Sequence, residues 1–443
     1  MDAKRKIGWV LAWGWALAAV ASAQIYADFA TGAGRFTAEL DYERAPRTVA
    51  HFIRLAEGRQ TWRDPQTGIV RSNAWYEGSA FHRVQYTVEE GVTNLLAVQG
   101  GLRFAGGAWS GGTGYGILDE WNNGLSHSNG VLSLVTDGPH TGHAEFMVLT
   151  GEGAPYWDGK QTVFGHVVSG MDEVFSIASG ATTNGILLAP VALSNVTIRR
   201  TGEAALAFST DRPDLPWVEP RESTLLLSTG QVVFACSQRG QSQALMLHAD
   251  QVQTNEWAII SMGFHRGTQD LLRTLDVTAA GWSRHFFHGG NVVYPVYSAP
   301  PVEEIPGIQF AAEWGNGDVY QYALDFGART GFYQNVTTTG AVVRINDCFM
   351  RTWTGNSIWL NFMDAAGNVF DYRLGFASKG SSMGRYSLSL TSGWTGEFLG
   401  AEWGDCQWAP WSPSTTATVS MKSPAARLMP QHRDFFRGAA GKR

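Results

Sequence analysis

The chain has 443 residues, of which 44% are apolar and 12% aromatic. That length corresponds to about two or three domains. The apolar and aromatic content is enough for buried cores and excludes a disordered chain. Charged residues make up only 16%, whereas 52 glycines and 18 tryptophans favour a β-rich, turn-rich architecture. A net charge of −6 argues against a nucleic-acid-binding protein, whose surface would be basic. Cys236, Cys348 and Cys406 are too few for a disulfide framework or a cysteine metal site, although one disulfide fits their number.

Residues 1–23 have the pattern of a secretory signal peptide. Lys4, Arg5 and Lys6 precede an apolar stretch over 7–20, and a small-x-small sequence ends at Ala23, just before Gln24. The apolar stretch is shorter than the roughly 20 residues that a membrane-spanning helix needs. We therefore expect an exported protein, periplasmic or extracellular, with no membrane span after signal cleavage.

The first elements after the signal predict a hairpin followed by a helix. Phe36, Ala38 and Leu40 alternate with polar residues, which is typical of a strand with one buried face. A helix is predicted from Pro46, which suits a first turn, to just before Gly58.

Short apolar runs separated by glycines fill residues 60–168, and a second helix is predicted after Gly170, with a closing strand over 196–198. Two helices and about eight strands predict a closed, mostly antiparallel β-barrel with capping helices over 24–200.

A different composition begins near residue 201. Pro213, Pro216 and Pro220 lie in a charged stretch, which predicts a linker over 201–222. Beyond it, the sequence of 317–326 resembles that of 367–376, with aromatic residues, Tyr, Leu and Phe at alternate positions. Those side chains share one buried strand face, so a β-meander barrel or sandwich domain of unknown role is predicted over 223–420. The basic segment 421–443 is predicted to be disordered.

Several short motifs occur in a fixed order along the N-terminal half: Phe81-His82-Arg83-Val84, Gln99-Gly100-Gly101, Gly130-Val131-Leu132-Ser133, Gly138-Pro139, and Asp158-Gly159-Lys160 followed by Val163-Phe164-Gly165. Together they make residues 25–200 resemble a cyclophilin-type peptidyl-prolyl cis-trans isomerase, and the predicted barrel is that family's fold. The resemblance implies an enzyme that acts on Xaa-Pro bonds of proline-containing polypeptides, assists protein folding, and needs no metal or other cofactor.

The resemblance also implies roles for individual residues. Arg83 is similar to the family's catalytic arginine, and Gln99 to the glutamine that holds the substrate backbone. The implied substrate-binding residues are Phe81, Leu96, Ala97, Val135, Thr136, Glu145, Met147, Tyr156, Trp157 and Gln161. Of these, Phe81 is expected to be structural rather than a direct participant, as is its neighbour His82.

Several of these positions depart from the family pattern. Met147 replaces an aromatic wall of the proline pocket, Glu145 replaces a neutral amide, and Gln161 replaces a histidine at the pocket rim. Arg83 and Gln99 are also farther apart than usual, which predicts an inserted loop around 89–91. We expect a looser grip on proline, and Glu145 is a candidate to pair with Arg83 and divert its donors.

Two alternatives remain open at the level of sequence. The first is a catalytically weakened chaperone that keeps the peptide groove. The second is an envelope- or glycan-binding protein that acts through aromatic side chains of its C-terminal domain, with Trp353, Trp359, Trp394, Trp408 and Trp411 as candidates. The two histidines His140 and His143 lack a carboxylate pattern around them, so a metal site there is not expected.

Overall fold

A computed structural model describes most of the chain. The described residues are 23–64, 69–89, 92–105, 108–110, 112–221, 223–228, 231–236, 242–249, 258–265, 271–276, 286–296, 299, 306–376 and 383–410. The predicted signal segment before Ala23 and the predicted basic tail lie outside them.

Twelve strands form the N-terminal half. They are β1 Gln24–Thr31, β2 Arg35–Leu40, β3 Trp62–Arg63, β4 Val70–Arg71, β5 Ser79–Glu89, β6 Val92–Ala105, β7 Ala108–Ser110, β8 Val131–Leu134, β9 Phe146–Leu149, β10 Thr162–Ser169, β11 Thr182–Thr183 and β12 Ile186–Thr201. The main sheet runs β1-β2-β10-β8-β9-β6-β5-β12, and β12 pairs with β1 to close an eight-stranded barrel. The predicted closed barrel is confirmed.

Two helices cap the barrel, as predicted. Helix α1 spans Pro46–Ala56, with proline in its first turn, and the left-handed φ of 68° at Gly58 follows its end. Helix α2 spans Met171–Ala178 and follows Gly170, whose φ is 80°. Phe36, Ala38 and Leu40 of β2 face the barrel core together with the apolar side of α1. A short 3-10 helix at Pro155–Trp157 lies outside the barrel wall.

The predicted linker is ordered over 201–221 and packs on the isomerase-like half. It contains α3 Glu203–Ala207 and the strand β13 Trp217–Arg221. Arg47 on α1 donates to Asp214 at 2.8 Å, and the Gln60 amide donates to the Pro216 carbonyl at 2.6 Å. The prolines that predicted a linker therefore belong to a segment that side-chain contacts hold against the first barrel.

Two small sheets follow this segment. Their strands are β14 Ser223–Ser228, β15 Gln231–Cys236, β16 Ser242–Ala249, β17 Ala258–His265, β18 Leu271–Asp276 and β19 Phe286–Val293. One sheet has the order β13-β19-β16-β17 and the other β14-β15-β18.

A second closed barrel ends the described chain. Its strands are β20 Gly307–Glu313, β21 Val319–Asp325, β22 Thr330–Asn335, β23 Val343–Thr354, β24 Ser357–Asp364, β25 Asn368–Gly375, β26 Met383–Ser392 and β27 Phe398–Pro410. Each strand pairs with the next, and β20 pairs with β27 to close the barrel. Of the two predicted arrangements, a meander barrel or a sandwich, this part of the chain forms the barrel.

The internal repeat explains how this barrel is filled. Its two copies include β21 and β25, and the predicted apolar faces are buried inside the barrel. Tyr322 and Tyr372 occupy matching positions, and their hydroxyl oxygens lie 2.7 Å apart across the interior. Trp314 Nε1 donates to Tyr372 at 3.3 Å, and Tyr386 donates to the Glu313 carbonyl at 2.7 Å. The barrel interior is thus packed with aromatic rings whose polar atoms are satisfied.

Cys348 and Cys406 are free thiols buried in this second barrel. Burial raises the pKa of Cys348 to about 11, so its thiol stays protonated and unreactive at neutral pH. Neither of these two thiols is paired, so the one disulfide that the number of cysteines allowed is not present in the described part of the chain.

The two halves share a continuous core, contrary to the expectation that the linker would give few reasons for tight docking. Val218 and Tyr294 belong to the same apolar cluster as the first barrel's Phe52 and the second barrel's Phe310. Gly375 of β25 meets Pro139 so closely that a Cβ there would lie 2.3 Å from the Pro139 Cβ. The sequence composition predicted loose contact between the two halves because composition does not show which distant segments pack together.

Arg385 of β26 anchors the second barrel to the first. Its guanidinium donates to the Gly159 carbonyl and lies 4.8 Å from the centroid of the Trp121 ring. Trp121 in turn stacks on His140, with ring centroids 5.0 Å apart. Because Gly159 and His140 belong to two different loops of the first barrel, one arginine ties both loops to the second barrel.

Within the part of the chain that the structure describes, no helix is long and apolar enough to cross a membrane.

A buried histidine predicts acid sensitivity. His51 on α1 is fully buried and donates through Nε2 to the His143 carbonyl at 2.9 Å, and burial lowers its pKa to about 3. The unfolded chain has the ordinary histidine pKa near 6.5, so it binds more protons than the folded chain below that pH. His51 alone should therefore remove about 2 kcal/mol from the free energy of unfolding between pH 6.5 and 5.

Urea unfolding at pH 7 and pH 5 checks this expectation. His51→Gln, whose amide can still donate to the His143 carbonyl, should show a smaller loss of stability at pH 5 than the unsubstituted protein. The matched control is His166→Gln, because His166 is exposed on β10. Equal pH dependence in His51→Gln and the unsubstituted protein would rule out His51 as the source.

Candidate functional site

Arg83 and Gln99 stand side by side on the outer face of the first barrel. They are direct partners in the β5–β6 ladder. Strands β5 and β6 extend well beyond this pair, with Glu89 paired to Val92, and residues 90 and 91 of the predicted inserted loop lie outside the described residues. The Arg83 side chain is exposed, and neither its guanidinium nor the Gln99 carboxamide makes a hydrogen bond to the described residues. The guanidinium is therefore available to a ligand, and Gln99, which is 7% exposed, lies mostly buried beside it.

An apolar cluster lies beside them on the same face. In β6, β8 and β9 the alternate residues Val98, Leu132 and Val148 point into the barrel core, and the intervening ones form this second cluster. We call it the outer cluster; its buried members are Ala97, Val131, Met147, Leu149, Ala154 and Val163, against which Leu125, Val135, Tyr156 and Trp157 pack.

The outer cluster continues the row that begins at Arg83. Gln99 pairs with Met147, and Met147 pairs with Ser133, so the row crosses four strands from a cationic donor to an apolar patch. Burial in this patch raises the pKa of Tyr156 to about 12, which keeps its hydroxyl neutral. A donor, an amide and an apolar surface in one row suit a peptide that carries a proline ring.

Beneath the outer cluster lies a Ser-His-Asp line that the sequence reasoning missed. His127 Nδ1 lies 2.7 Å from Asp158, and His127 Nε2 lies 2.9 Å from the Ser133 hydroxyl. Since a carboxylate only accepts, Nδ1 donates its proton to Asp158, and burial lowers the pKa of His127. No local signal could have found this set, because its members come together only through β8 and the 158–160 turn.

This line is a positioning network and not a hydrolytic site. Ser133 is completely buried and also lies within 3.3 Å of the Thr162 carbonyl, so its oxygen cannot reach a substrate. The His127 ring meets Trp157 edge-on, with centroids 6.0 Å apart. The network therefore holds in place the turn that carries Trp157.

Phe81, implied as a substrate-binding residue but expected to be structural, has its ring fully buried in the barrel core, with its centroid 5.7 Å from that of Phe146, which fits the structural expectation. The expectation for Glu145 is wrong. Glu145 was a candidate to pair with Arg83, but its Oε1 lies 3.3 Å from His82 Nε2 instead. The reason is a bulge in β5: Phe81 faces Gly100 and Arg83 faces Gln99, so His82 is the extra residue.

The remaining implied residues are spread around the outer cluster. Ala97, Val135, Met147, Tyr156 and Trp157 lie within it. Leu96 is half-buried where the register of the β5–β6 ladder shifts between Gln85 and Tyr86, and it is not a member of the outer cluster.

Two polar residues at the rim have buried oxygens that are free to bond. The Thr136 hydroxyl and the Gln161 amide oxygen have no hydrogen-bond partner among the described residues. The Thr136 hydroxyl could donate to or accept from a peptide bound at the edge of the site, and the Gln161 oxygen could accept from it.

The two histidines of the 138–143 loop have other partners. His140 Nδ1 accepts from the Asp119 amide at 3.1 Å, and His143 Nδ1 accepts from the Ala144 amide at 2.7 Å. Among the described residues, no three histidine, cysteine or acidic side chains are grouped so as to hold a metal ion.

The tryptophans considered as a glycan platform do not share an environment. The Trp359 indole donates to Asp371 at 2.8 Å, Trp408 packs edge-on against Phe376, and Trp394 is 81% exposed in a turn. The side chain of Trp353, and all of Trp411, lie outside the described parts.

Comparison with known proteins finds relatives of the first barrel. Residues 26–203 match the family described as "Cyclophilin type peptidyl-prolyl cis-trans isomerase/CLD". The chain is 33% identical over 145 residues to peptidyl-prolyl cis-trans isomerase B of Streptomyces anulatus, covering 32% of this chain and 77% of that protein. It is 29% identical over 172 residues to a probable peptidyl-prolyl cis-trans isomerase A of Mycobacterium bovis, covering 38% and 88%. A solved cyclophilin-type isomerase of Cryptosporidium parvum aligns over 40% of this chain and 98% of its own, with 17% identity and a TM-score of 0.30.

The chain belongs to the cyclophilin-type peptidyl-prolyl cis-trans isomerase family. Its first barrel is an isomerase domain of that class, a class that acts on proline-containing peptides.

Proposed function

We propose that this protein is an exported prolyl isomerase that speeds the folding of other exported polypeptides, with Arg83 as its catalytic donor. The observation that carries the proposal is the row on the outer face: an exposed guanidinium, the Gln99 amide and the outer cluster around Met147. Three kinds of group needed for this reaction thus occur within three neighbouring strands.

Prolyl isomerisation requires little more than a hydrogen-bond donor, a group that holds the backbone and an apolar surface. An Xaa-Pro bond rotates over a barrier near 20 kcal/mol because amide resonance is lost at the twisted state. Raising the rate from about once per minute to hundreds per second requires roughly 6 kcal/mol. In the twisted state the lone pair localises on the prolyl nitrogen, so a hydrogen bond donated by Arg83 to that nitrogen becomes stronger. Gln99 would hold the peptide backbone, and the outer cluster would receive the ring.

Export is supported by the basic, apolar and small-residue pattern over 1–23. Cleavage after Ala23 would leave β1 whole, because that strand begins at Gln24, which pairs with Thr201. Fractionation of cells that make the full chain, with N-terminal sequencing of the exported form, tests this part. Retention in the cytoplasm, or a first residue other than Gln24, would count against it.

A protease-coupled assay on a short Xaa-Pro peptide tests the activity, using the chain without residues 1–23. We expect the cis form to disappear faster than in buffer, and refolding of a proline-limited protein to accelerate in the same preparation. Acceleration of the peptide without acceleration of refolding would separate the isomerase from the folding role.

A second candidate is a peptide-binding chaperone with little turnover. It is favoured by the packing of the outer cluster, in which Ala97 and Met147 are fully buried, so that a proline ring must displace its covering side chains. Tight binding of the peptide with no gain in isomerisation rate would favour this candidate.

A further inference from the structure

The second barrel borders the isomerase site through a cleft of about 330 Å³. One side of the cleft is formed by Thr136 and Asp137 of the first barrel. The other side is formed by outward side chains of β25, β26 and β27. Register pairs Arg373 with Ser387 and Ser387 with Trp403, so these three make a row across neighbouring strands.

This cleft is a continuation of the outer face that carries the isomerase site. Ser133 borders Met147 in the ladder, and Val135 donates its amide to the Glu145 carbonyl at 2.9 Å in the next step. Asp137 follows two residues later and reaches the cleft. Four residues separate Ser133, at the Met147 level, from Asp137, and β8 ends at Leu134, so at about 3.3 Å per residue the separation is at most roughly 13 Å.

The charges in the cleft favour a basic occupant. Asp371 is neutralised by Arg373 and also accepts from the Trp359 indole. Asp137 is exposed, and its carboxylate makes no hydrogen bond to the described residues. The unmatched charge is therefore negative, and the half-buried indole of Trp403 lines the same cleft. A carboxylate beside an indole suits the long side chain of lysine or arginine.

We propose that this cleft binds a lysine or arginine about four residues away from the isomerised proline, so that the second barrel gives the isomerase a preference for basic flanking sequence. The inference rests on the proposed function, because the peptide must be held at Arg83 and the outer cluster for its flank to reach the cleft.

The test uses the chain without residues 1–23 and a set of Xaa-Pro peptides that differ in one flanking residue. Each peptide carries arginine or glutamine at one position, two to six residues from the proline on either side. The readout is the ratio of the glutamine-peptide KM to the arginine-peptide KM, measured within one protein preparation, so that any general change in turnover cancels. We expect a ratio of about 3 to 30 at positions near four on one side, from an ion pair and a cation–π contact.

Trp403→Ala and Asp137→Asn should each bring that ratio towards one. The matched control is Trp394→Ala, which removes an exposed indole of the same barrel that does not line the cleft and should leave the ratio as it was. A ratio of one at every position in the unsubstituted protein would overturn this inference while leaving the isomerase proposal intact. No turnover of any peptide would overturn the proposed function itself.

Discussion

Replacing Arg83 with alanine should lower kcat by about a hundredfold to a thousandfold while changing peptide affinity little. The guanidinium is exposed beside Gln99 and makes no hydrogen bond to the described residues, so it is free to donate to the substrate. Its N–H groups donate most strongly when the lone pair localises on the prolyl nitrogen in the twisted state. Losing one such contact costs about 2.7 to 4 kcal/mol, by analogy with an oxyanion-hole donor. The protease-coupled assay gives kcat and KM, and titration of a non-cleavable peptide gives affinity.

A matched control separates this effect from the loss of any positive charge. Arg35 is also an exposed arginine on a strand of the first barrel, at the start of β2, and Arg35→Ala should keep kcat. Arg83→Lys should recover only part of the rate, since an ammonium lacks the planar fork of donors. If Arg83→Ala weakens peptide binding as much as it lowers the rate, Arg83 binds the substrate but does not act on the twisted bond.

The alternation of apolar residues predicted strand faces well. The faces of β2, β21 and β25 are buried where a period of two places them. The same rule puts Phe81 and Arg83 on one face, because they are two residues apart. A bulge at His82 breaks the period, and the local residue types do not announce it. The burial of Phe81 away from Arg83 and the contact of Glu145 with His82 rather than Arg83 have this one cause.

The order of short motifs located the isomerase domain, and the pairing of Arg83 with Gln99 follows from two strands that those motifs mark. Contacts between distant segments could not be predicted in the same way. The partners of Arg385 are Gly159 and Trp121, more than two hundred residues earlier in the chain. Nothing in the composition near residue 385 distinguishes this arginine from an ordinary surface arginine. The shared core and the cleft beside Asp137 could therefore be identified only in the structure.

A substitution in the 203–221 segment should lower the stability of the protein substantially. Leu215 is buried in the shared core, while Leu206, on α3 of the same segment, is 68% exposed. Leu215→Ala in the chain without residues 1–23 should therefore lower the free energy of unfolding by about 2 to 5 kcal/mol, the usual cost of removing a buried leucine. Leu206→Ala is the matched control, with an expected change within about 0.5 kcal/mol.

The same pair of variants tests whether the segment stabilises the isomerase domain or only connects it. Gln60 and Thr61 of the first barrel form hydrogen bonds with Pro216 and Val218, which closely follow Leu215 in the chain. Loosening that region should therefore loosen the first barrel as well. In urea, the midpoint for loss of isomerase activity should fall in Leu215→Ala together with the midpoint of tryptophan fluorescence. An activity midpoint that stays at the unsubstituted value while fluorescence shifts would mean that the first barrel is stable without this segment, as a free linker would allow.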